Sequence, residues 1–142
     1  MKVSDIMTAP AVSIQADESA EIAARTLTQY NIGILPVCDK AGKICGLLTD
    51  RDLVIRCMAS GRAAAQTKVK DIMSARITSV SPDMETDAAA QVMGSQQVRR
   101  LPVVENGMLR GMISLGDLAK QRESASTAAG ALARISSNTG SF

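Results

Sequence analysis

The 142-residue chain has no histidine and no tryptophan, and Tyr30 and Phe142 are its only aromatic residues. Without histidine, Ser–His and Cys–His nucleophilic catalysis is excluded, together with the commonest transition-metal ligand. Without aromatic platforms, single-stranded nucleic acid is a poor candidate partner, because its bases bind largely by stacking. The three cysteines, Cys38, Cys45 and Cys57, form no CxxC pair and do not complete a four-ligand zinc site. They read as buried apolar thiols in a reducing compartment. The net charge is only +2: residues 1–66 carry seven acids and seven bases, and residues 67–142 carry seven acids and nine bases. That field is too weak for a dedicated DNA binder. No segment approaches the roughly 18 apolar residues of a membrane span, and Met1 to Thr8 holds no apolar signal core. These absences lead to the expectation of a soluble, cytoplasmic protein with no nucleic-acid or membrane partner.

What is present is an ordinary globular composition, 46% hydrophobic and 21% charged. At this length folding buries about two-thirds of the unfolded surface, enough for a core without disulfides or metal. The chain also contains two copies of itself. Val3-Ser-Asp-Ile-Met7 aligns with Val69-Lys-Asp-Ile-Met73, and Leu35-Pro36-Val37 with Leu101-Pro102-Val103. Gly46-Leu-Leu-Thr49 with Asp52-Leu53 aligns with Gly111-Met-Ile-Ser114 with Asp117-Leu118. The offset is 66 up to Lys40 and 65 from Gly42 onward, so the lost residue falls in a turn.

Each copy reads as β-α-β-β-α. A short strand is expected near Val12 to Ile14 and near Thr78 to Val80. Asp17-Glu18 opens a helix whose Ala20, Ala23, Ala24, Leu27 and Tyr30 recur at helical spacing. The apolar runs Ile34 to Cys38 and Ile44 to Thr49 are too short for helices and predict buried strands. Asn106-Gly107 is a hairpin signal in the second copy, where the first has a longer Asp39-to-Lys43 turn. A second helix runs from Thr49 to about Met58, with Ser60-Gly61 as its stop. Pro36 and Pro102 suggest strand starts or edges. Ala63-Ala64-Ala65 fits a helix or a loop. The expected organisation is repeat 1 at 1–60, a linker at 61–68, repeat 2 at 69–121 and a tail at 122–142. In the tail, 125–135 is a short helix and 136–142 is frayed.

Thr49-Asp-Arg-Asp52 and Ser114-Leu-Gly-Asp117 each follow a strand and open a helix. The spacing suits a capping box, in which the hydroxyl accepts the N3 backbone N–H and the acid reaches back. It equally suits a ligand site, with the hydroxyl on a phosphate and the acid accepting from two ribose hydroxyls. Arg99-Arg100 is either a solvated basic pair or a phosphate contact. The first copy has Gly33-Ile34 there, so two ligand sites would not be chemically identical. Met7 and Met73 fill a core or form a soft wall for a purine.

The repeated pattern of Asp-Ile-Met, an amphipathic helix, Leu-Pro-Val and Gly-h-h-Thr/Ser-x-x-Asp (h, apolar) resembles the CBS domain in its tandem arrangement, the Bateman module. The resemblance covers about residues 1–121 and points to stand-alone bacterial two-domain members. It implies an α+β fold, two β-α-β-β-α repeats packed with pseudo-two-fold symmetry. It also implies an adenine nucleotide in clefts between the repeats. Carried over, one site takes Ser114 and Asp117 with Met7, Val12, Ile32 and Gly33. The other takes Thr49 and Asp52 with Thr78, Val98 and Arg99, while Arg99 and Arg100 match positions that meet phosphates. Family ligands include AMP, ADP, ATP, NAD and S-adenosylmethionine, here expected as regulatory ligands beside no obligatory cofactor and no metal. A homodimer through exposed apolar helix faces and a protein effector complete the implied picture.

The leading expectation is therefore a non-enzymatic sensor of an adenosyl small molecule. The alternative is a ligand-free interaction module in which both motifs act only as caps. An enzyme lacks a nucleophile–base pair, a metal cluster or a phosphate-cradling glycine loop.

Overall fold

The computed structural model describes residues 1–121 and 125–139. They form two compact units. One comprises Val12–Ile77 with Gly107–Leu109. The other comprises Met1–Ala11, Thr78–Asn106 and the chain from Arg110 onward.

In the first unit, β1 (Ile14–Gln15), α2 (Ala20–Tyr30), β2 (Ile34–Cys38) and β3 (Ile44–Thr49) follow the expected order. The strand order is β1-β2-β3, with β1 parallel to β2 and β3 antiparallel to it. Leu35 pairs with Leu48 and Val37 with Gly46. Leu35, Val37 and Leu48 are fully buried beside Ala20, Ala23 and Leu27 of α2. The helix starts later than its acids suggest: Ser19 is the N-cap, its hydroxyl accepting from the Ile22 N–H at 3.1 Å. Asn31, in the left-handed conformation, ends it.

Pro36 is the middle residue of β2, not its start. It faces Leu47, whose N–H and C=O both bond Ser74 at 2.9 Å. That pair makes no ladder bond, so the missing proline N–H leaves none unmade. Past Thr49 the expected helix is α3 (Asp50–Asp52), continued by a π-helical stretch Leu53–Met58. Its wider turn is carried by the i→i+5 bond from Ala59 N–H to Val54 O, and Arg62 N–H to Cys57 O with Gly61 N–H to Met58 O caps its end. Gly61, at φ 78°, then turns the chain. Ala64–Gln66 resolves into a 3-10 turn.

The segment opening the second repeat packs on the first repeat's strands. Val69 and Ile72 belong to the β2–β3 core, and Ser74 bridges Leu47. Met73 lies over Gly46, where a Cβ would collide with its Sδ and stand 2.9 Å from the Ser74 carbonyl oxygen.

The other unit repeats this arrangement with exchanged segments. α1 (Val3–Ile6) anchors through Val3, whose N–H reaches Met84 O at 2.8 Å. Thr8 bridges Met112, and a Cβ on Gly111 would stand 2.6 Å from Thr8 O and 3.0 Å from Met7 Sδ. Each unit thus takes its opening segment from the other repeat.

α4 (Thr86–Gln96), β4 (Arg100–Glu105), β5 (Met108–Ser114) and α5 (Leu115–Ala119) follow. The strand expected near Thr78–Val80 reduces to one parallel bridge, Val80 to Val103. Asn106 (φ 54°) and Gly107 (φ 78°) make the tight hairpin turn the sequence signals. α6 (Ala125–Thr139) runs past the expected end at Ile135. Residues 122–124 and the end expected to fray at 140–142 lie outside the described residues. Ala128, Ala131 and Ile135 bury α6 in the core of Val3, Met93, Leu101 and Ile113. Gly94 permits the close crossing with α4, since a Cβ there would stand 3.3 Å from Ala131 Cα. Among the described residues no helix is long and apolar enough to cross a membrane.

Candidate functional site

Both Thr/Ser-x-x-Asp motifs sit where a strand gives way to a helix, and both form complete capping boxes. Thr49 Oγ1 accepts from Asp52 N–H at 3.1 Å, and Thr49 N–H donates to Asp52 Oδ2 at 2.9 Å. Ser114 Oγ and Asp117 exchange the same bonds at 3.0 Å each. The cap engages one oxygen of each carboxylate. In Asp52 the second oxygen stands 3.8 Å from Arg56 Nε. Among the described residues, Asp117 Oδ1 has no hydrogen-bonding or ionic partner. The two motifs therefore share geometry and differ in electrostatics. Arg56 also donates to Met73 O at 3.1 Å, which ties its guanidinium to the segment over Gly46.

The loop before each Leu-Pro-Val strand is bound to the first residue of the helix that follows the Thr/Ser cap in its own repeat. Asp50 N–H donates to Gly33 O at 3.1 Å, and Leu115 N–H to Arg99 O at 2.7 Å. The units accordingly gather the expected residues as follows. Ile32, Gly33 and Val12 share a unit with Thr49 and Asp52, Ile32 and Val12 packing on the β2–β3 core. Met7, Thr78, Val98, Arg99 and Arg100 share the other with Ser114 and Asp117. Met7 and Val98 pack against the core there, and Met7 also covers Gly111. The sequence-based grouping placed Arg99 with Thr49 and Gly33 with Ser114. Within the units, Arg99 adjoins Ser114 and Gly33 adjoins Asp50.

A cavity of about 450 Å³ opens at the Ser114 end of β5. Arg99, Arg100, Ser114, Leu115, Gly116 and Ala119 line it, with Ala128, Ala129 and Leu132 of α6. Its volume falls in the range of small-molecule sites. Cationic and hydroxyl groups stand beside alanine and leucine side chains, a chemistry suited to a ligand with an anionic end and an apolar body. Sequence reasoning missed the three α6 residues. Their signal was present as an alanine-rich helix with Leu132 and Ile135 one turn apart, but no repeat counterpart drew attention to it.

Among the described residues no three His, Cys, Asp or Glu side chains are placed to hold a metal. Burial first, and then the approach of Cys45 and Asp39, holds the Cys38 thiol above its ordinary pKa. Burial and Asp39 do the same for Cys45. Neither thiol is poised as a thiolate nucleophile.

The chain is 39% identical over 134 residues to the CBS domain-containing protein YhcV of Bacillus subtilis, covering 94% of both chains. It is 31% identical over 116 residues to hypoxic response protein 1 of Mycobacterium tuberculosis, 82% of this chain and 81% of that one. The crystal structure of Hypoxic Response Protein I, with two coordinated zinc ions, superposes with a TM-score of 0.79 at 30% identity, over 85% of this chain and 98% of that one. The CBS domain pair of protein MJ0100, solved with 5′-methylthioadenosine and S-adenosyl-L-methionine, gives a TM-score of 0.73 at 25% identity, over 84% and 94%. The CBS domain pattern itself matches twice, at residues 3–58 and 69–124. With two matches spanning most of its length, the chain belongs to the CBS domain family as a tandem pair.

Proposed function

We propose that this tandem pair is a regulatory sensor of an adenosyl ligand, with AMP, ADP, ATP, NAD and S-adenosylmethionine as the candidate molecules. The observation that carries the reading is the cavity joining Ser114 to Arg99 and Arg100, next to a carboxylate, Asp117, with an oxygen to spare. Arginine supplies bidentate donors to phosphate, and the carboxylate accepts from vicinal ribose hydroxyls. The ligands in the MJ0100 pair support the adenosyl class. In the other unit Thr49 and Asp52, with Val12, Ile32 and Gly33 nearby, serve a second site that lacks an arginine pair and suits a ligand of lower charge. Thr78 and Val98 share the unit of the first.

The module acts without catalysis. It works in the cytoplasm as a homodimer whose contact is the exposed apolar face Val54, Ile55 and Met58, and it transmits occupancy to a protein effector. Occupancy shifts conformation by as much as the ligand's affinities for the alternative states differ.

Thermal unfolding with each of the five molecules tests this reading. A ligand at 100 times its Kd stabilises by about 2.7 kcal/mol, several degrees at this length, and Asp52→Ala with Asp117→Ala removes the shift. The complete capping boxes favour a second reading, a ligand-free interaction module. That reading predicts lower melting temperatures in the variants and no ligand effect in the parent chain.

A further inference from the structure

The C-terminal helix lies outside both stretches matched by the CBS pattern, yet it lines the cavity that contains Ser114. We propose that α6 is a working wall of the second repeat's ligand site, so that ligand occupancy and docking of α6 are coupled. The inference rests on the adenosyl reading above and adds the element through which that site is regulated.

Three observations carry it. First, Ala128, Ala129 and Leu132 line the same cavity as Arg99 and Arg100. A ligand whose anionic end meets the arginines lays its apolar body on these side chains. Second, residues outside the cavity lining help seat α6: Ala131 and Ile135 are buried in the core, and Ala131 crosses Gly94 of α4 at contact distance. Undocking α6 would remove the wall while leaving the arginines and Ser114 in place. Third, the seat is specific to the second repeat. The α2 residue aligned with Gly94 is Thr28, and that face of α2 carries an exposed Arg25–Glu21 ion pair at 2.6 Å. The arginine pair and the helical seat thus occur in the same copy, and neither occurs in the other.

Leu132 is 42% exposed, so a ligand that covers it stabilises the docked helix, and the docked helix raises ligand affinity by the same factor. Two full-chain variants separate the parts. Ala129→Trp fills the cavity from an exposed position. Gly94→Leu pushes α6 off α4 at Ala131, which is not a lining residue. Affinities for AMP, ATP, NAD and S-adenosylmethionine are measured by titration calorimetry, with hydrogen exchange of the α6 amides as a second readout. Each variant is expected to lose about tenfold or more in affinity for the bound probe. The probe should slow α6 exchange in the parent chain but not in Gly94→Leu. Circular dichroism confirms folding, and Leu132→Gln replaces any variant that fails.

Undiminished affinity in both variants, with binding still lost in Asp117→Ala, overturns the role of α6 and leaves the sensor reading standing. Binding that depends on Asp52 and not on Asp117 also overturns it, because the occupied site is then the other one. Binding of none of the four probes by the parent chain overturns both.

Discussion

Leu115 donates its backbone N–H to the carbonyl oxygen of Arg99 at 2.7 Å. This bond fixes the arginine loop against the residue that follows Ser114, so the main chain at Arg99 and at Ser114 is held together by a main-chain tie. Side-chain substitution at Arg99 therefore changes charge without releasing the loop.

Arg99→Ala combined with Arg100→Ala should leave unfolding by urea nearly unchanged, since both side chains are exposed. If the cavity binds nucleotide, ATP affinity should fall by about tenfold or more, since a hydrogen bond to a charged group contributes about 1.5–3 kcal/mol. AMP, with fewer charges, should lose less. Parallel calorimetric titrations with the two nucleotides read the difference; equal losses would put the contact on the phosphate both share, and no loss with either would count against phosphate contact.

Ser114→Ala and Thr49→Ala each remove the hydroxyl of a complete capping box. Each should cost about 1 kcal/mol of stability, measured by urea denaturation without ligand. The boxes lie in separate units, so the double variant should show the sum.

Two glycines should respond in opposite directions. Gly111→Ala places a Cβ 2.6 Å from Thr8 O, and such overpacking costs about 1–3 kcal/mol. Gly130 lies inside α6 with nothing within 4 Å of the position a Cβ would take. Gly130→Ala should stabilise by up to about 1 kcal/mol through helix propensity. Melting temperatures of the two variants settle both signs.

Cys38 and Cys45 give a pH dependence on the alkaline side. Their folded-state pKa values are raised, so above about pH 8.5 the unfolded chain releases thiol protons that the folded chain keeps. Stability from these groups is complete below that pH and is lost as pH rises toward the folded-state values. Urea midpoints from pH 7 to 10 should fall less steeply in Cys38→Ala with Cys45→Ala than in the parent chain.

The strands were legible because Ile34–Cys38 and Ile44–Thr49 are short apolar runs closed by turn residues. The tight hairpin at Asn106-Gly107 was legible from conformational preference alone. Two features were not. Alignment of Val3–Met7 with Val69–Met73 shows that the segments are equivalent but cannot show which sheet each one joins. Pairing of Ser74 with Leu47 and of Thr8 with Met112 is decided by packing over Gly46 and Gly111. The π-helical stretch after Asp52 was also hidden, because Leu53 to Met58 is apolar at every position but Arg56 and carries no spacing that separates the two helix types. At the site, Thr49, Asp52, Ser114 and Asp117 announce their caps by spacing. The α6 wall escapes because it has no counterpart in the first repeat to compare with.

The exchanged opening segments impose an order of events during synthesis. The β2–β3 unit is nearly contiguous, so most of its packing can form while the ribosome is still adding later residues. Val3 and Thr8, made well before Met84 and Met112, must wait for them before their backbone groups find partners. The Val3–Thr8 segment is thus secured later than the β2–β3 unit that follows it, and during translation it remains open to capture by whatever binds nascent polypeptides.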